Sequence, residues 1–354
     1  MKKGLEAMTK PKNILIIRLS AMGDVAMTVP VIRAFCHQFP EVKITVLTKE
    51  FFTPFFRGLH NVTVIHPDLS DKHKGILGLF RLSRELNQWN FDGLLDLHNV
   101  LRSRILKTFL SINPSAQINK GRKEKRALVF GSSFHQLKTT HQRYADAFKE
   151  LGYDVNLINP ELPGPVKLNT KLKGFLKGTK NKRIGIAPFA AHKGKMYPLT
   201  LMNQVIQNLS KKHLVVLFGG GLKEVNQLKK IASNYKNVIN TAGRLTLDEE
   251  LDVISNLDLM LSMDSGNGHL AAMLGIDVIT IWGVTHPYAG FLPFNQSITS
   301  ALTLDKSRYP KVPTSVYGNK YPKEYEQAIG TISPETIISN IKERLDENVL
   351  HTSS

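Results

Sequence analysis

The stretch that most limits what this chain can fold into is 256–287, NLDLMLSMDSGNGHLAAMLGIDVITIWGVTHP. Asp258–Met263 is a short apolar run of the kind that becomes a buried parallel strand. It stops at Asp264-Ser265-Gly266-Asn267-Gly268. His269–Leu274 then carries helix formers, Gly275 closes the helix, and Asp277–Trp282 is a second buried strand. A Gly-rich turn between strand and helix leaves backbone N–H groups of the helix N-terminus pointing outward. Together with the helix dipole they favour an anion, most often a phosphate. Gly266 and Gly268 remove the Cβ atoms that would block a ligand's approach. Asp264 and Ser265 also suit helix capping, but capping does not account for two glycines and His269 in one turn. Gly266–Ala271 matches the dinucleotide pattern G-x-G-x-x-A as well. The acidic residue that pattern needs at the end of the next strand is missing from Trp282-Gly283-Val284-Thr285, so a phosphate site is the stronger reading.

The same alternation runs through the chain. Strands are expected at Asn13–Ile17, Lys43–Thr48, Val62–His66 and Phe91–Leu97, with helices at Val25–Phe39, Phe80–Trp89, His98–Leu110 and His141–Leu151. Pro160-Glu161-Leu162-Pro163-Gly164-Pro165 breaks the pattern, and a Lys- and Gly-rich run continues the break to Lys182. Strands then follow at Arg183–Ala187, Leu214–Phe218 and Val238–Asn240, with helices at Leu199–Lys211, Leu222–Asn234 and Leu247–Ser255. Residues 288–333 show little periodicity, and Pro334–Leu345 reads as a closing helix. The expected organisation is an N-terminal domain over 1–165, a linker over 166–182, a second domain over 183–332 and a helix and tail over 333–354. Strands alternating with helices imply parallel sheets, whose ligands sit beyond the carboxyl ends of the strands.

Composition narrows the partners. Net charge is +18, which attracts polyanions: nucleic acid, anionic lipid or a phosphorylated glycolipid. No zinc-finger, RNA-recognition or cold-shock pattern occurs, and aromatic residues do not interleave with the basic runs, so nucleic acid is disfavoured. Between Arg102 and Arg143 ten basic residues stand against one acid, Glu124. Such a run is often a solvated face; this imbalance points to a polyanion site. Cys36 is the only cysteine, which excludes an internal disulfide and fits a reducing cytoplasm. Met1–Lys12 is polar and basic, unlike a signal peptide, and no apolar run reaches a membrane span. No D-x-D, HExxH or G-x-S-x-G motif occurs.

Two distant motifs together resemble glycosyltransferase family 9, the lipopolysaccharide heptosyltransferases. Asp264–Gly275 followed by Gly283-Val284-Thr285-His286-Pro287 is similar to that family's donor loop, and Arg18-Leu19-Ser20-Ala21-Met22-Gly23-Asp24-Val25 to its R-x-S-x-x-G-D-V segment. Asp96–Ser103, Lys195-Met196-Tyr197-Pro198 and Thr241–Leu247 resemble further family segments, with Tyr197 where the family has Trp.

The resemblance implies the GT-B fold, two Rossmann-like domains with parallel sheets facing a central cleft. It implies metal-independent glycosyl transfer without a cofactor, from a nucleotide sugar such as ADP-heptose to an anionic glycolipid of the lipopolysaccharide core. Asp24 would be the general base. Lys195 would stabilise the leaving diphosphate with the N–H groups of Ser265, Gly266, Asn267, Gly268 and His269. Glu224 would hold the ribose, and Asp264 and His269 would position donor sugar or phosphate. Ser20, Arg102, Arg122, Arg126 and Arg143 would bind the acceptor. The implied location is cytoplasmic, peripheral at the inner membrane. Other nucleotide sugars or acceptors stay open, as does a binding protein without catalysis; Asp24 argues against the last.

Overall fold

The protein, seen as a computed structural model, is described over residues 10–177 and 181–352. The N-terminal run Met1–Lys12, the linker run 166–182 and the helix and tail over 333–354 therefore lie partly outside the described residues. The chain divides into two compact units, one of Met1–Lys120 with Thr140–Glu161, the other of Gly121–Thr139 with Leu162–Ser354.

In the first unit β1 (Asn13–Ile17) leads to α1 (Met22–Ala26) and α2 (Thr28–Gln38). The single helix expected over Val25–Phe39 is broken at Met27. Pro30 has no N–H for the Ala26 carbonyl, and the Thr28 hydroxyl donates to Val25 O at 2.7 Å. There follow β2 (Lys43–Leu47), a 3-10 helix at Glu50–Phe56, β3 (Val62–Ile65), α3 (Gly75–Asn87), β4 (Gly93–Asp96), α4 (Leu101–Leu110) and β5 (Ser115–Gln117). The strands form one parallel sheet in the order β3-β2-β1-β4-β5. Ile14 to Ile17 and Leu94 are buried completely, as a sheet covered on both faces requires. Leu79, Leu82 and Leu86 of α3 and Leu106 and Leu110 of α4 pack on one face with Leu15 and Ile17.

The helix α5 (Arg122–Val129) belongs to the second unit, and α6 (Thr140–Glu150) returns to the first. This differs from the expected boundary at 165, because Gly121–Thr139 has its own contacts in the second unit. Leu128 and Leu137 pack with Ala289, and Leu137 N–H donates to Tyr288 O at 3.0 Å. Lys125 Nζ lies 4.0 Å from the Phe291 ring centre and Lys306 Nζ 4.2 Å from that of Phe134.

The second unit continues through α7 (Thr170–Phe175), β6 (Arg183–Ala187), α8 (Leu199–Leu209), β7 (Leu214–Leu217), α9 (Gly221–Ala232), β8 (Val238–Asn240) and α10 (Leu247–Ile254). It closes with β9 (Leu259–Met263), α11 (Gly266–Met273), β10 (Val278–Ile281), β11 (Ala301–Leu302) and α12 (Pro334–Thr352). Its parallel sheet has the order β11-β10-β9-β6-β7-β8. Ile337, Ile341 and Leu345 of α12 join Met202 and Val205 of α8 in its core. The capping box readable at Thr246 and Glu249 forms, with Glu249 N–H donating to Thr246 Oγ1 at 3.2 Å and Thr246 N–H to Glu249 Oε2 at 3.0 Å. Each sheet reverses its strand order once, between β1 and β4 and between β6 and β9. Ligands of such sheets bind at these points.

Candidate functional site

In the second unit β6, β9 and β10 are neighbours, so the loops leaving their carboxyl ends meet. Lys195 ends a 3-10 turn after β6, Asp264 follows β9, and Thr285 follows β10. Lys195 Nζ lies 2.8 Å from Asp264 Oδ2, and the Thr285 hydroxyl donates to the same oxygen at 2.8 Å. The two charged side chains are only 15% and 8% exposed, so each needs the other. Val284 N–H donates to Gly194 O at 3.0 Å, pinning the two outer loops together. A Cβ on Gly283 would stand 2.1 Å from that carbonyl oxygen, so only glycine fits there. Gly318, at φ +76°, lies against the Lys195 stem, where a Cβ would come 2.5 Å from Cγ. Lys195 is thus held at its stem and its head.

The helix α11 starts at Gly266, three residues earlier than expected, so both glycines lie in its first turn. Ser265 is its N-cap by backbone position, with φ −151°, yet its side chain does not cap the helix. Its hydroxyl pairs instead with Ser262 Oγ at 3.1 Å. Ser265, Gly266 and Asn267 are half-buried at the helix mouth, and His269 is buried. A Cβ on Gly268 would meet Ser262 Oγ at 3.4 Å, an ordinary contact, so packing alone does not demand glycine. Glu224 sits in the first turn of α9 and accepts Gly220 N–H at 2.8 Å on Oε2. It lines a cavity of about 190 Å³ together with Phe189, Met196, Lys223 and Gln227.

In the first unit Arg18 follows β1 and is buried. Its Nη2 lies 2.7 Å from Asp24 Oδ2, and its Nη1 donates to Leu97 O, just past β4, at 2.7 Å. One guanidinium therefore ties the two strands of the switch point. Ala21 N–H also donates to Asp24 Oδ2, at 3.4 Å, and Tyr144 OH donates to the Asp24 carbonyl at 3.2 Å. Asp24 keeps 34% of its side chain exposed. Ser20 is half-buried on the loop leading into it.

The last residue of β4, Asp96, is fully buried and organises the next turn. Its Oδ1 accepts His98 N–H at 3.0 Å and Asn99 N–H at 2.7 Å, and its Oδ2 accepts the Ser103 hydroxyl at 2.8 Å. That fixes the start of α4, where Arg102 stands exposed. Arg102 lines a hollow of about 620 Å³ with Lys49, Glu50, His66, Asp68 and Ser70. Burial, then repulsion from Arg18 and Lys120, pushes the His98 imidazole down to about 4, with Asp24 opposing.

The structure divides the predicted acceptor residues. Arg102 and Arg143 are in the first unit and Arg122 and Arg126 on α5 of the second. Arg143 is buried and reaches Asn119 O at 3.4 Å, so it does not line the Arg102 hollow as an open cation. Arg122 and Arg126 are exposed. Three participants escaped assignment from sequence. Arg18 and Thr285 lie inside the quoted motifs, and position within them was the available signal. His98 likewise lies inside a quoted segment, Asp96–Ser103, two residues after Asp96.

The profile of glycosyltransferase family 9 (heptosyltransferase) matches residues 79–321, more than half of the chain. The chain belongs to this family. This family 9 glycosyltransferase is 25% identical over 291 residues to the lipopolysaccharide core heptosyltransferase of Haemophilus influenzae, covering 78% of this chain and 80% of the relative. It is 25% identical over 351 residues to lipopolysaccharide heptosyltransferase 1 of Campylobacter coli, covering 94% and 98%. Among solved structures, an E. coli heptosyltransferase with ADP superposes with a TM-score of 0.67 at 20% identity, over 94% of this chain and 99% of that one. That likeness shows the GT-B fold, with its two parallel-sheet Rossmann-like units. Among the described residues no helix is long and apolar enough to cross a membrane, and no three His, Cys, Asp or Glu side chains group as metal ligands.

Proposed function

We propose that this family 9 enzyme transfers heptose from an ADP-linked donor to an anionic glycolipid acceptor of the lipopolysaccharide core. One observation carries the reading most. The Lys195–Asp264–Thr285 cluster lies beside the start of α11, at the carboxyl edge of the sheet. The ADP in the E. coli relative and the acceptors named for the H. influenzae and C. coli relatives support the same choice.

The lysine ammonium has three donors. Asp264 takes one, leaving two for diphosphate oxygens, while the α11 dipole and first-turn N–H groups add positive potential. The Gly266 and Gly268 positions let the diphosphate approach the backbone. Glu224 and its cavity suit a ribose and a base lying between Phe189 and Met196.

In the transfer step the acceptor hydroxyl oxygen forms a bond to the anomeric carbon. The bond from that carbon to the diphosphate oxygen breaks, and ADP leaves with the electron pair. Asp24 takes the hydroxyl proton. Arg18 and Ala21 N–H both use its Oδ2, which leaves Oδ1 for the hydroxyl. Lys195 and the helix dipole supply the charge stabilisation that the leaving diphosphate needs, and no metal ion is required in this account. Arg102, beside Lys49 and His66, suits an acceptor phosphate, with Arg122, Arg126 and Ser20 as further acceptor contacts. A lipid-borne acceptor brings the enzyme to the inner face of the cytoplasmic membrane.

The test is a thermal-shift comparison of ADP, UDP, GDP and NADH. A ligand bound only by the native state stabilises it by RT ln(1 + [L]/Kd), about 2.7 kcal/mol at one hundred times Kd. ADP should give the largest rise in Tm. A rise with NADH and none with ADP would overturn the reading.

A further inference from the structure

Helix α3 is apolar on two faces. Its inner face, with Leu79, Leu82 and Leu86, packs into the first unit's core. Its outer face carries Ile76, Leu77 and Phe80 at 62%, 83% and 50% exposure. Nearby, α4 begins with Leu101, 75% exposed, and the Phe80 and Phe109 rings meet at 5.6 Å where the two helices pack. Both helices run back from the carboxyl edge of the sheet and lie on its same face. Their first turns therefore crown the edge that carries Asp24.

Cations surround this apolar crown. Lys74, Arg81 and Arg84 are exposed on or beside α3, and Arg102 and Arg104 on α4. The only carboxylate within α3 is Glu85, held by Lys72 Nζ at 2.8 Å and by His73, and α4 has none. An outward apolar face where Lys74, Arg81, Arg84, Arg102 and Arg104 outnumber the nearby exposed carboxylates Asp68 and Asp71 is the pattern of a helix that lies in a bilayer interface. The apolar tips enter the acyl boundary while cations meet anionic headgroups. A second copy of the chain fits poorly, because a two-fold contact would set this cationic patch against itself.

We infer that the α3–α4 face of the first unit is the surface by which the enzyme docks on an anionic bilayer. Ile76, Leu77 and Phe80 insert, and Lys74, Arg81 and Arg84 contact the headgroups. The inference gives a surface to the lipid-borne acceptor proposed above and rests on that reading for its biological purpose only.

The experiment is sedimentation with vesicles of phosphatidylcholine, with or without phosphatidylglycerol, in the absence of donor and acceptor. The full chain should partition at least tenfold more strongly onto the anionic vesicles. Ile76→Ser with Leu77→Ser should cut that partition at least tenfold without lowering Tm, since both side chains are solvated. Arg81→Ser with Arg84→Ser should also cut it at least tenfold, each cation near an anionic surface being worth roughly fivefold, and should weaken its salt dependence. If the apolar pair fails to fold, the arginine pair decides alone. Equal binding to both vesicles, or variants that bind like wild type, would overturn the inference. So would a dimer in solution that dissociates when Ile76 and Leu77 are replaced. None of these outcomes touches the ADP thermal shift, so a failure here is separable from failure of heptosyl transfer.

Discussion

Lys195 Nζ stands 2.8 Å from Asp264 Oδ2, and both side chains are largely buried. The ion pair joins the loop after β6 to the loop after β9, across the point where the strand order reverses. Removing the cation from such a pair leaves a buried carboxylate with only Thr285 to compensate it.

Lys195→Met should therefore act twice. Stability should fall by about 3–5 kcal/mol, the cost of leaving a buried charge without its partner, and the ADP-induced rise in Tm should almost vanish. Asp264→Asn keeps a partner for Thr285 and frees Lys195, so it should retain more of the ADP shift than Lys195→Met does. Calorimetry and ADP titration read both. Equal ADP shifts in Lys195→Met and wild type would remove Lys195 from the diphosphate site.

Gly283→Ala tests the backbone contact beneath that pair. The new Cβ would sit 2.1 Å from Gly194 O, so one of the two loops must move. Overpacking of this kind costs about 1–3 kcal/mol. Thermal unfolding should show the loss, with weakened ADP binding, because the loop carrying Lys195 shifts. A Tm equal to wild type would mean that the loops yield freely.

Much of the architecture was legible because period and punctuation agree. Asn13–Ile17 and Leu259–Met263 are each four-fifths apolar, and each forms a buried strand close to its expected bounds. Helix ends were less legible. Gly266 and Gly268 read as a turn, yet tertiary packing holds them inside α11. The segment Gly121–Thr139 was legible only as charge. Its place in the second unit depends on Leu128, Leu137 and Phe134 meeting residues 286–306, contacts too distant in sequence for any local pattern. At the site, it was the family motifs that singled out Asp24, Asp264 and Lys195 for the roles proposed above. The partners Arg18 and Thr285 follow from strand adjacency, which sequence alone does not give.

Acid should destabilise the fold in a defined window. Burial lowers both His98 and His286 to about 4, with Arg18 and Lys120 adding to the first and Lys306 to the second. Below pH 6.5 the unfolded histidines take up protons that the folded ones refuse, so the unfolded state binds more protons and stability falls. Tm should drop between about pH 6.5 and 4, and less steeply in His98→Gln. An unchanged slope in that variant would show that His98 is not a source of the drop.

Turnover in excess EDTA should match turnover without it, because Lys195 and the α11 dipole supply the positive charge in this account. Rate and metal content measured together check this. A loss of rate in EDTA that is restored by one divalent ion would assign the charge to a metal.

The most direct test of the account is ADP release from ADP-heptose in the presence of a lipopolysaccharide-core acceptor, compared between wild type and Asp24→Asn. Asparagine keeps a side-chain oxygen that can accept Ala21 N–H as Asp24 does, but it cannot take the hydroxyl proton. It also loses the charge that faces Arg18, so a modest fall in Tm is expected. Wild type should release ADP only when acceptor is present. The variant should still bind ADP with wild-type affinity while its turnover falls by at least about 10², the scale of a positioned general base. Turnover within a few-fold of wild type would contradict Asp24 as the base, and no acceptor-dependent ADP release from wild type would contradict heptosyl transfer itself.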